Sequence, residues 1–379
     1  MLLLRVVHAI VALRQLRKTC PSVHLECSTH CRPAIERRRR INTALGHRSG
    51  LPPALLLTSE SLLNQAKHLA KAGHDVHNKP AMADKAEYEY LPPPGPPPML
   101  SLEQLRHLCR YGWLAYDLSP DLSDRLTRLF GLASNFFNQG TEEKQRLYPA
   151  SQGTECGYYC VEAEKEYVTL RRQVHQHLPF EAEAGEAWRE IAQLLHGVLL
   201  ELSKAEGLET SVWDDMVNGS LPYPPPDADL NNVISLMRVF RYLPTTGVAD
   251  PHTDLGVLTL CVGDGTGLEV LDTSLSPPEW RPAAKATILV GETLRKLSNG
   301  VIRAGLHRVV GNPEGRGSIV FALRPNLSER VDLSAFGGEG VVDTRKFYMD
   351  IKGTKYNINA NHELREAQRQ GREAANGMG

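Results

Sequence analysis

The sequence predicts an α+β protein with a mainly β core, in which a helical layer packs against a sandwich or barrel of short strands. Helical patterns come first, between residues 101 and 207. Closely spaced short strands follow, between residues 233 and 324, with Gly, Pro, Asn and Asp in the turns. The chain has 379 residues, of which 41% are hydrophobic and 23% charged, so it can also bury a sizeable core.

The helical layer begins at Ser101, which is expected to cap a helix that ends at Gly112. A short strand, WLAYDL, follows. Pro120 is expected at the first position of a second helix, where proline is tolerated, and TEEKQRLY begins a shorter one. The longest helix is expected from about Glu181 to Gly207. Apolar residues recur on one face at helical spacing, so this helix is interpreted as a scaffold against the core.

Short strands dominate the second half of the chain. They are predicted at VISLMRVFRYL (233–243), GVLTLCVG (256–263), GLEVLD (267–272), ATILVG (286–291), the residues from His307 to Val310, and SIVFALR (318–324). Beyond them, TRKFYMDIKG (344–353) is expected to form a helix that covers the barrel. NHELREAQRQGREAANG (361–377) is polar all round and is expected to be an exposed tail.

Residues 1–84 are expected to be a disordered or targeting extension. The first 50 residues contain ten Lys and Arg but two acidic residues, and MLLLRVVHAIVALRQLRK has the apolar, basic character of a mitochondrial presequence. A nuclear signal or a solvated basic patch at Arg37–Arg40 is an alternative. Another is a gene model that starts too early, with its true start at Met82. The Pro-rich LPPPGPPPML (91–100) is expected to be an extended connector.

Composition limits the class of partner. The formal net charge is −1, which gives no support for a nucleic-acid partner. No apolar run approaches the roughly 20 residues of a membrane-spanning helix. The seven cysteines form no regular framework, which favours reduced, intracellular thiols. We therefore expect a monomer without a nucleic-acid or membrane partner. It is expected in the cytoplasm, or in mitochondria if the basic extension is part of the protein.

His252 and Asp254 are candidate metal ligands. Residues i and i+2 of a strand point to the same face, so both side chains can reach one ion if Thr253 points away. His307, after 52 intervening residues, would add a third ligand from another strand. Two histidines and one carboxylate on one face of an ion leave its other positions open, which is typical of non-haem Fe(II) sites. Alone, His-x-Asp is a weak signal.

Arg316 and Ser318 are candidates for binding an organic acid. Arg316 lies nine residues after His307, and its planar fork can bind a carboxylate at two points. Ser318 faces the same side in a strand. An inward arginine would be unfavourable without an acid, and no internal acid is obvious, so a dicarboxylate ligand is the simplest partner. The alternative is a surface strand with an outward arginine.

The sequence resembles the iron- and 2-oxoglutarate-dependent oxygenases of the isopenicillin-N-synthase-like family. The resemblance rests on HTDLGVLTL, GLEVL, LVGETLRKLSNG, RAGLHRVVGNPEGRGS and SIVFALRP, and more weakly on LRHLCRYGWLAY and EKQRLYPASQGTECGYY upstream. It implies a double-stranded β-helix (jelly-roll) core with an N-terminal helical layer and a long scaffold helix. The expected regions are 85–225 for the helical layer, 226–330 for the dioxygenase core, and 331–379 for a C-terminal covering segment and polar tail.

The resemblance also implies roles for individual residues. His252, Asp254 and His307 would be the catalytic Fe(II) ligands. Arg316 and Ser318 would bind the distal carboxylate of 2-oxoglutarate. Tyr242 would line the co-substrate pocket, with an ordinary strand aromatic as the alternative. The implied enzyme uses Fe(II), 2-oxoglutarate and O2, supported by ascorbate. It oxidises a small metabolite, as in secondary metabolism, by hydroxylation, desaturation or ring closure, and releases succinate and CO2.

Two alternatives stay open on the sequence alone. One is an iron-dependent oxidase of the same fold that does not use 2-oxoglutarate. The other is a non-catalytic jelly-roll module that binds a small molecule. Leu255 and Phe321 are expected either to shape the substrate pocket or to belong to the core. Glu292 stands where many members of the family have Asp. Nothing in the sequence marks a charged substrate pocket, and it identifies no substrate.

Overall fold

A computed structural model of the chain describes residues 97–151, 154–355, 358–360, 363–368 and 370. All of these belong to one unit that spans residues 92–379. The predicted extension and most of the Pro-rich connector lie outside the described residues. The boundary after residue 84 lies among residues that are not described. The boundaries after residues 225 and 330 fall within one unit, so all three stay predictions.

Five of the seven helices in the described part of the chain form where they were predicted, whereas Val212–Met216 and Glu292–Leu297 were not predicted. They are α1 Leu102–Tyr111, α2 Pro120–Phe137, α3 Thr141–Leu147, α4 Pro179–Glu206, α5 Val212–Met216, α6 Glu292–Leu297 and α7 Thr344–Gly353. Ser101 caps α1, since its hydroxyl accepts a hydrogen bond from the amide of Gln104 at 3.2 Å. Gly112 ends α1 in the left-handed conformation, with φ of 78°.

Thirteen strands are assigned in the described part of the chain. They are β1 Trp113–Ala115, β2 Gly157–Val161, β3 Lys165–Leu170, β4 Leu236–Tyr242, β5 Ala249–His252, β6 Leu258–Gly263, β7 Leu268–Asp272, β8 Glu279–Pro282, β9 Ala286–Val290, β10 His307–Val309, β11 Arg316–Leu323, β12 Arg330–Asp332 and β13 Val341–Asp343. The large sheet has the order β1-β9-β6-β11-β4-β3-β2, and the small sheet has the order β5-β10-β7-β8. Neighbouring strands in both sheets are antiparallel.

The outer face of the large sheet packs against the helices. Trp188 of α4 is fully buried, and its ring meets Phe321 of β11 edge-on, with centroids 4.8 Å apart. Phe321 therefore belongs to the core on the helical side, which is one of the two alternatives that the sequence left open. The burial of α4 confirms its expected role as a scaffold helix, although the helix starts at Pro179, two residues earlier than expected.

The inner faces of the two sheets pack against each other. This second apolar cluster combines large-sheet and small-sheet residues, among them Tyr167, Phe240, Tyr242, Leu268, Val270 and Val309. Because side chains alternate along a strand, even-numbered residues of β11 face this interior while Phe321 faces the helices. The mainly antiparallel core with a helical layer confirms the predicted fold class.

Several strands were not predicted from the sequence pattern. The hairpin of β2 and β3 was not predicted, because Lys165 and Glu166 interrupt the apolar run. Both are buried, and Glu166 accepts a hydrogen bond from the Lys144 ammonium at 2.6 Å. β5 was missed as an independent strand because it is short and contains Asp250 and Pro251. The polar β8 and the pair of β12 and β13 were missed as well.

The C-terminal segment contacts the barrel more closely than expected. The helix α7 forms where a covering helix was predicted. Arg365, in the segment expected to be an exposed polar tail, is only 1% exposed. Its guanidinium donates two hydrogen bonds of 2.9 Å to the carboxylate of Glu164, which precedes β3. Arg365 therefore belongs to the folded body. No helix among the described residues is both long and apolar enough to cross a bilayer.

Candidate metal and co-substrate site

The pairing of two short strands brings His252 and His307 together. β5 and β10 are antiparallel neighbours, and the two histidines are direct partners in their register. Their rings lie 4.2 Å apart between centroids. His252 ends β5 at the edge of the small sheet, whereas His307 begins β10 next to it. Strand pairing thus joins two candidate ligands that are distant in the sequence.

Asp254 completes the cluster from a loop. It lies two residues beyond the end of β5, which corrects the expectation that His252 and Asp254 share one strand face. Its Oδ1 atom is 3.8 Å from Nε2 of His252 and 4.0 Å from Nε2 of His307. One potential ligand atom from each of the three residues lies within 4.8 Å of the others. The predicted triad is therefore assembled, although by a loop rather than by strand alternation.

Hydrogen bonds fix the loop that carries Asp254. The backbone amide of Glu292, at the start of α6, donates to the carbonyl of Asp254 at 2.8 Å. The hydroxyl of Thr253 donates to the Glu292 carboxylate at 2.7 Å, so Thr253 points away from the cluster as predicted. Lys355 donates to the same carboxylate at 3.1 Å. Glu292 thus positions the loop through both its backbone and its side chain.

Backbone carbonyls set the tautomer of both histidines. Nδ1 of His252 lies 2.7 Å from the carbonyl oxygen of Asp250, and Nδ1 of His307 lies 3.0 Å from that of Gly305. Since a carbonyl can only accept, each Nδ1 carries the proton, and each Nε2 faces the cluster. Burial, and then the neighbouring His307, lower the pKa of His252 to about 3 against the opposing effect of Asp254. His252 is therefore neutral at pH 7.

The cluster fits a divalent metal ion. Burial opposes ionisation of Asp254, but His307 and His252 hold its pKa below the usual range, so it is a carboxylate. Its Oδ2 atom is buried and has no hydrogen-bond partner among the described residues. A buried carboxylate oxygen without a partner is strongly unfavourable, and a cation would satisfy it. Two imidazole nitrogens and one carboxylate form the donor set that suits non-haem Fe(II).

Arg316, Ser318 and Tyr242 meet at the centre of the large sheet. Arg316 of β11 pairs with Tyr242 of β4, and Ser318 follows two residues on with its side chain on the same face. Arg316 is 6% exposed, and its Nε donates to the carbonyl of Gly265 at 3.3 Å. Among the described residues, no carboxylate lies within 4.0 Å of its guanidinium. The predicted inward arginine without an internal acid is thus present.

Glycine makes room for the Arg316 side chain. A Cβ atom on Gly263 of β6 would lie 2.5 Å from Nη2 of Arg316, which is closer than atoms can approach. The sequence suggests no role for this glycine, because its function depends on a neighbouring strand. Cys261, two residues earlier, lies within electrostatic reach of both Asp254 and Arg316. Burial and Asp254 raise the pKa of its thiol, while Arg316 lowers it. The two halves of the site are therefore close to one another.

Two cavities flank these residues. His252 and Asp254 line a cavity of about 930 Å³ at the mouth of the barrel, together with Leu255, which confirms that Leu255 borders the pocket. Arg316 and Tyr242 line a second cavity of about 840 Å³. The candidate metal ligands and the candidate acid-binding residues thus line two different cavities.

The mouth cavity also has charged walls, which corrects the expectation drawn from the sequence. Arg238 of β4, Arg324 at the end of β11 and Lys352 of α7 line it, together with Glu155. A signal for Arg324 was available: it lies on the same strand face as Arg316, eight residues later. The contribution of Lys352 could not be seen, because α7 reaches the cavity only through tertiary packing.

Comparison with known families identifies the strand-rich region. Residues 233–325 match the family model of the 2OG-Fe(II) oxygenase superfamily, and this segment contains the whole His252, Asp254 and His307 cluster as well as Arg316 and Ser318. The chain carries a 2OG-Fe(II) oxygenase domain. The predicted family is thereby confirmed, and its isopenicillin-N-synthase-like branch is consistent with this finding.

Curated relatives match parts of the chain. The 2-oxoglutarate-dependent dioxygenase frbH from a Dothideomycetidae species is 37% identical over 123 residues, covering 28% of this chain and 36% of its own length. The oxidoreductase vrtI from Penicillium aethiopicum is 43% identical over 105 residues, covering 24% of this chain and 25% of its own. The chain thus spans roughly a quarter to a third of the length of these relatives.

Solved structures share the fold of the oxygenase domain and its helical layer. A full-length Neurospora crassa protein in complex with alpha-KG superposes with a TM-score of 0.54 at 18% identity, covering 67% of this chain and 90% of the Neurospora chain. A 2OG-Fe(II) oxygenase family protein from Caulobacter crescentus gives the same TM-score at 21% identity, covering 67% and 93% of the two chains. These likenesses confirm the jelly-roll architecture.

Proposed function

We propose that the protein is an Fe(II)- and 2-oxoglutarate-dependent dioxygenase that oxidises a small organic metabolite. The observation that carries the proposal is the convergence of two imidazoles and the Asp254 carboxylate beside the mouth cavity, with no hydrogen-bond partner for Oδ2 of Asp254 among the described residues. A structural zinc site would be closed by four protein ligands, whereas this cluster leaves positions open to other molecules.

His252, Asp254 and His307 would hold Fe(II). The bound iron would supply the chemistry, which couples oxidation of the substrate by O2 to decarboxylation of 2-oxoglutarate to succinate and CO2. The protein aims the two imidazoles through the carbonyls of Asp250 and Gly305. Since His252 is already neutral at pH 7, metal binding does not compete with its protonation.

Arg316 and Ser318 would bind the distal carboxylate of 2-oxoglutarate, and Tyr242 would line its pocket. Arg316 is buried and faces no carboxylate of the described residues, so an acidic ligand would relieve an unpaired charge. Its guanidinium can donate two parallel hydrogen bonds, which fixes the orientation of a bound carboxylate. Arg316 and Asp254 line different cavities, but both act electrostatically on the Cys261 thiol, and this proximity supports one co-substrate that reaches from Arg316 toward the metal ligands.

The proposal is tested by succinate release. Purified protein is reconstituted with Fe(II) and ascorbate, supplied with 2-oxoglutarate under air, and screened against metabolites, with succinate measured by mass spectrometry. We expect turnover that requires both iron and 2-oxoglutarate and that rises with a suitable substrate. Oxygen consumption without any succinate would favour an oxidase that does not use 2-oxoglutarate. Failure to bind Fe(II) in a metal titration would leave only a non-catalytic binding module.

We propose further that the enzyme acts as a monomer in the cytoplasm. The near-neutral net charge offers no support for binding to nucleic acid. Size-exclusion chromatography with light scattering tests the monomer, and a dimer mass would contradict it. Peptide mapping of the mature N-terminus, with cell fractionation, tests the location. Recovery in mitochondria of a protein that has lost its basic extension would contradict the cytoplasmic assignment.

A further inference from the structure

We propose that the substrate of the oxygenase site is an apolar carboxylic acid, whose carboxylate is bound by Arg324 and Arg238 while its apolar body lies in the mouth cavity beside the metal ligands. This inference rests on the proposed dioxygenase function for its chemistry. Its physical basis is the wall of the cavity, where three cationic side chains share the single carboxylate of Glu155.

Three cations surround one acid in this wall. Arg324 donates to the carboxylate of Glu155 at 2.8 Å, Nη2 of Arg238 lies 3.4 Å from it, and Nζ of Lys352 lies 3.9 Å away. Although burial opposes ionisation of Glu155, Arg324 and then Arg238 hold the pKa of Glu155 far below its usual range. Glu155 is therefore charged, and this cluster of four residues keeps a formal charge of +2.

Arg324 has a donor that the protein does not use. Its residue is 7% exposed, and the Nε atom is buried without a hydrogen-bond partner among the described residues. The backbone on both sides is fixed, because the amide of Arg324 donates to the Ser235 hydroxyl at 2.9 Å and the same hydroxyl donates to the Arg324 carbonyl at 3.3 Å. Because Arg324 lines the cavity and its backbone is held in place, its guanidinium can also donate to an anionic oxygen of a ligand.

Arg238 presents the second guanidinium from the neighbouring strand. Its Nε donates to the Thr169 hydroxyl at 3.1 Å, and its Cζ lies 5.8 Å from the ring centroid of Tyr167. These contacts orient the side chain toward the cavity that both arginines line. Two guanidiniums on one wall can share a carboxylate, while a neutral ligand would leave their charges without compensation.

The rest of the cavity sets the size and polarity of the ligand. Leu255, Leu306, Ile358 and the rings of Tyr159 and Tyr167 provide apolar walls. A cavity of about 930 Å³ is large enough for a metabolite of drug-like size. Because His252 and Asp254 line the same cavity, an acid that is bound by the arginines would place part of its apolar body next to the proposed metal site.

Matched ligands test the proposal directly. The probes are 3-phenylpropanoic, cyclohexylacetic and octanoic acid, each with its methyl ester and its primary amide. Binding to the full chain loaded with Zn(II) and 2-oxoglutarate is measured by calorimetry, and succinate release by the iron form is measured in parallel. We expect acids to bind at least about tenfold more tightly than their esters and amides, the effect of one charge-assisted hydrogen bond.

Variants with opposite expected effects on acid binding distinguish a role in ligand binding from damage to the fold. Arg324→Met should weaken binding of the acids about ten- to hundredfold, and Arg324→Lys should weaken it less. Glu155→Gln removes the competing acid and should strengthen binding several-fold. Damage to the fold cannot explain a gain of affinity. Arg128→Met removes a 56% exposed side chain on α2 that is paired with Glu183, and should change nothing.

The outcomes distinguish this inference from the proposed activity. If no acid binds at millimolar concentration, or if esters bind as tightly as acids, the inference is overturned, even where 2-oxoglutarate turnover is observed. Unchanged binding in Arg324→Met together with Arg238→Met also overturns it. If acids bind selectively but no succinate is formed, the proposed carboxylate-binding site is supported and the proposed dioxygenase activity is contradicted.

Discussion

The two sheets of the barrel divide the candidate site between them. His252 and His307 lie on β5 and β10 at one edge of the small sheet, and Asp254 follows in the adjoining loop. Arg316 and Tyr242 lie on β11 and β4, in the middle of the large sheet. An edge leaves space for molecules to reach an ion, whereas central strands hold a buried charge rigidly. We therefore expect substitutions in the small sheet to affect the metal, and those in the large sheet to affect ligand affinity.

The largest effect is expected at the edge of the small sheet. Asp254→Ala removes the only carboxylate of the triad, so turnover should fall by at least about 1,000-fold, as expected when a catalytic metal is lost. Fe(II) titration and succinate release measure the two consequences. Asp227→Ala, an exposed acid in a distant loop, is the control. Full metal occupancy in Asp254→Ala would contradict the assignment of this ligand.

Substitution of Arg316 tests the other sheet. Arg316→Met should raise KM for 2-oxoglutarate about ten- to hundredfold, since a charge-assisted bidentate contact is lost, and should leave Fe(II) affinity unchanged. Arg316→Lys should retain part of the affinity. Arg281→Met, which removes a half-exposed arginine of β8, serves as the comparison. Equal loss of metal and co-substrate binding in Arg316→Met would show that the two sheets do not divide the site.

A smaller effect on Fe(II) affinity is expected from Thr253, which positions the loop that carries Asp254. Thr253→Val removes the hydrogen bond to Glu292, and Fe(II) affinity should fall about tenfold, the scale of contacts that orient metal ligands. Thr253→Ser should restore the affinity, because it keeps the hydroxyl. KM for 2-oxoglutarate should stay at the wild-type value in both variants. An unchanged metal affinity in Thr253→Val would show that the backbone contact from Glu292 is sufficient.

Titration of Lys165, in β3 of the large sheet, should change the free energy of unfolding and not turnover. Burial, and then the charge of Arg365, lower the pKa of Lys165 to about 8 in the folded protein. The unfolded chain therefore binds more protons between pH 8 and about 10.5, so the free energy of unfolding should rise with pH in this window. Denaturant titrations of wild type and Lys165→Met measure the difference. A slope that persists in the variant would assign the effect to another group.

The sequence was sufficient to predict the cluster of candidate metal ligands because its residue types are chemically distinctive. Histidine and aspartate are rare in apolar strands, so His252, Asp254 and His307 were easily recognised. The family resemblance then indicated that the three belong to one site. The geometry differed in one respect, since Asp254 is carried by a loop and not by the strand. A local pattern could not show this, because the loop is held by Glu292 from α6, a contact that only tertiary structure creates.

The cationic wall of the mouth cavity, formed by Arg238, Arg324 and Lys352, was harder to predict from the sequence. Arg238 and Arg324 stand in strands that also contain outward arginines such as Arg241, which contacts Glu166 on the helical side. Composition does not distinguish these cases, and strand parity does so only when the inner face is known. Glu155 and Lys352 come from regions whose approach to the barrel depends on the path of the chain. The substrate half of the site therefore emerged only from packing.

The pairing of β5 with β10 also affects how the protein folds. Its two histidines are separated in the chain by strands β6 to β9 and helix α6, so they are neighbours only in the folded protein. The unfolded chain thus contains no assembled triad, and an ion that binds the triad binds the native state alone. By mass action, such an ion raises the free energy of unfolding. If Fe(II) binds here as proposed, the iron supply of the cell sets the lifetime of the folded enzyme as well as its rate.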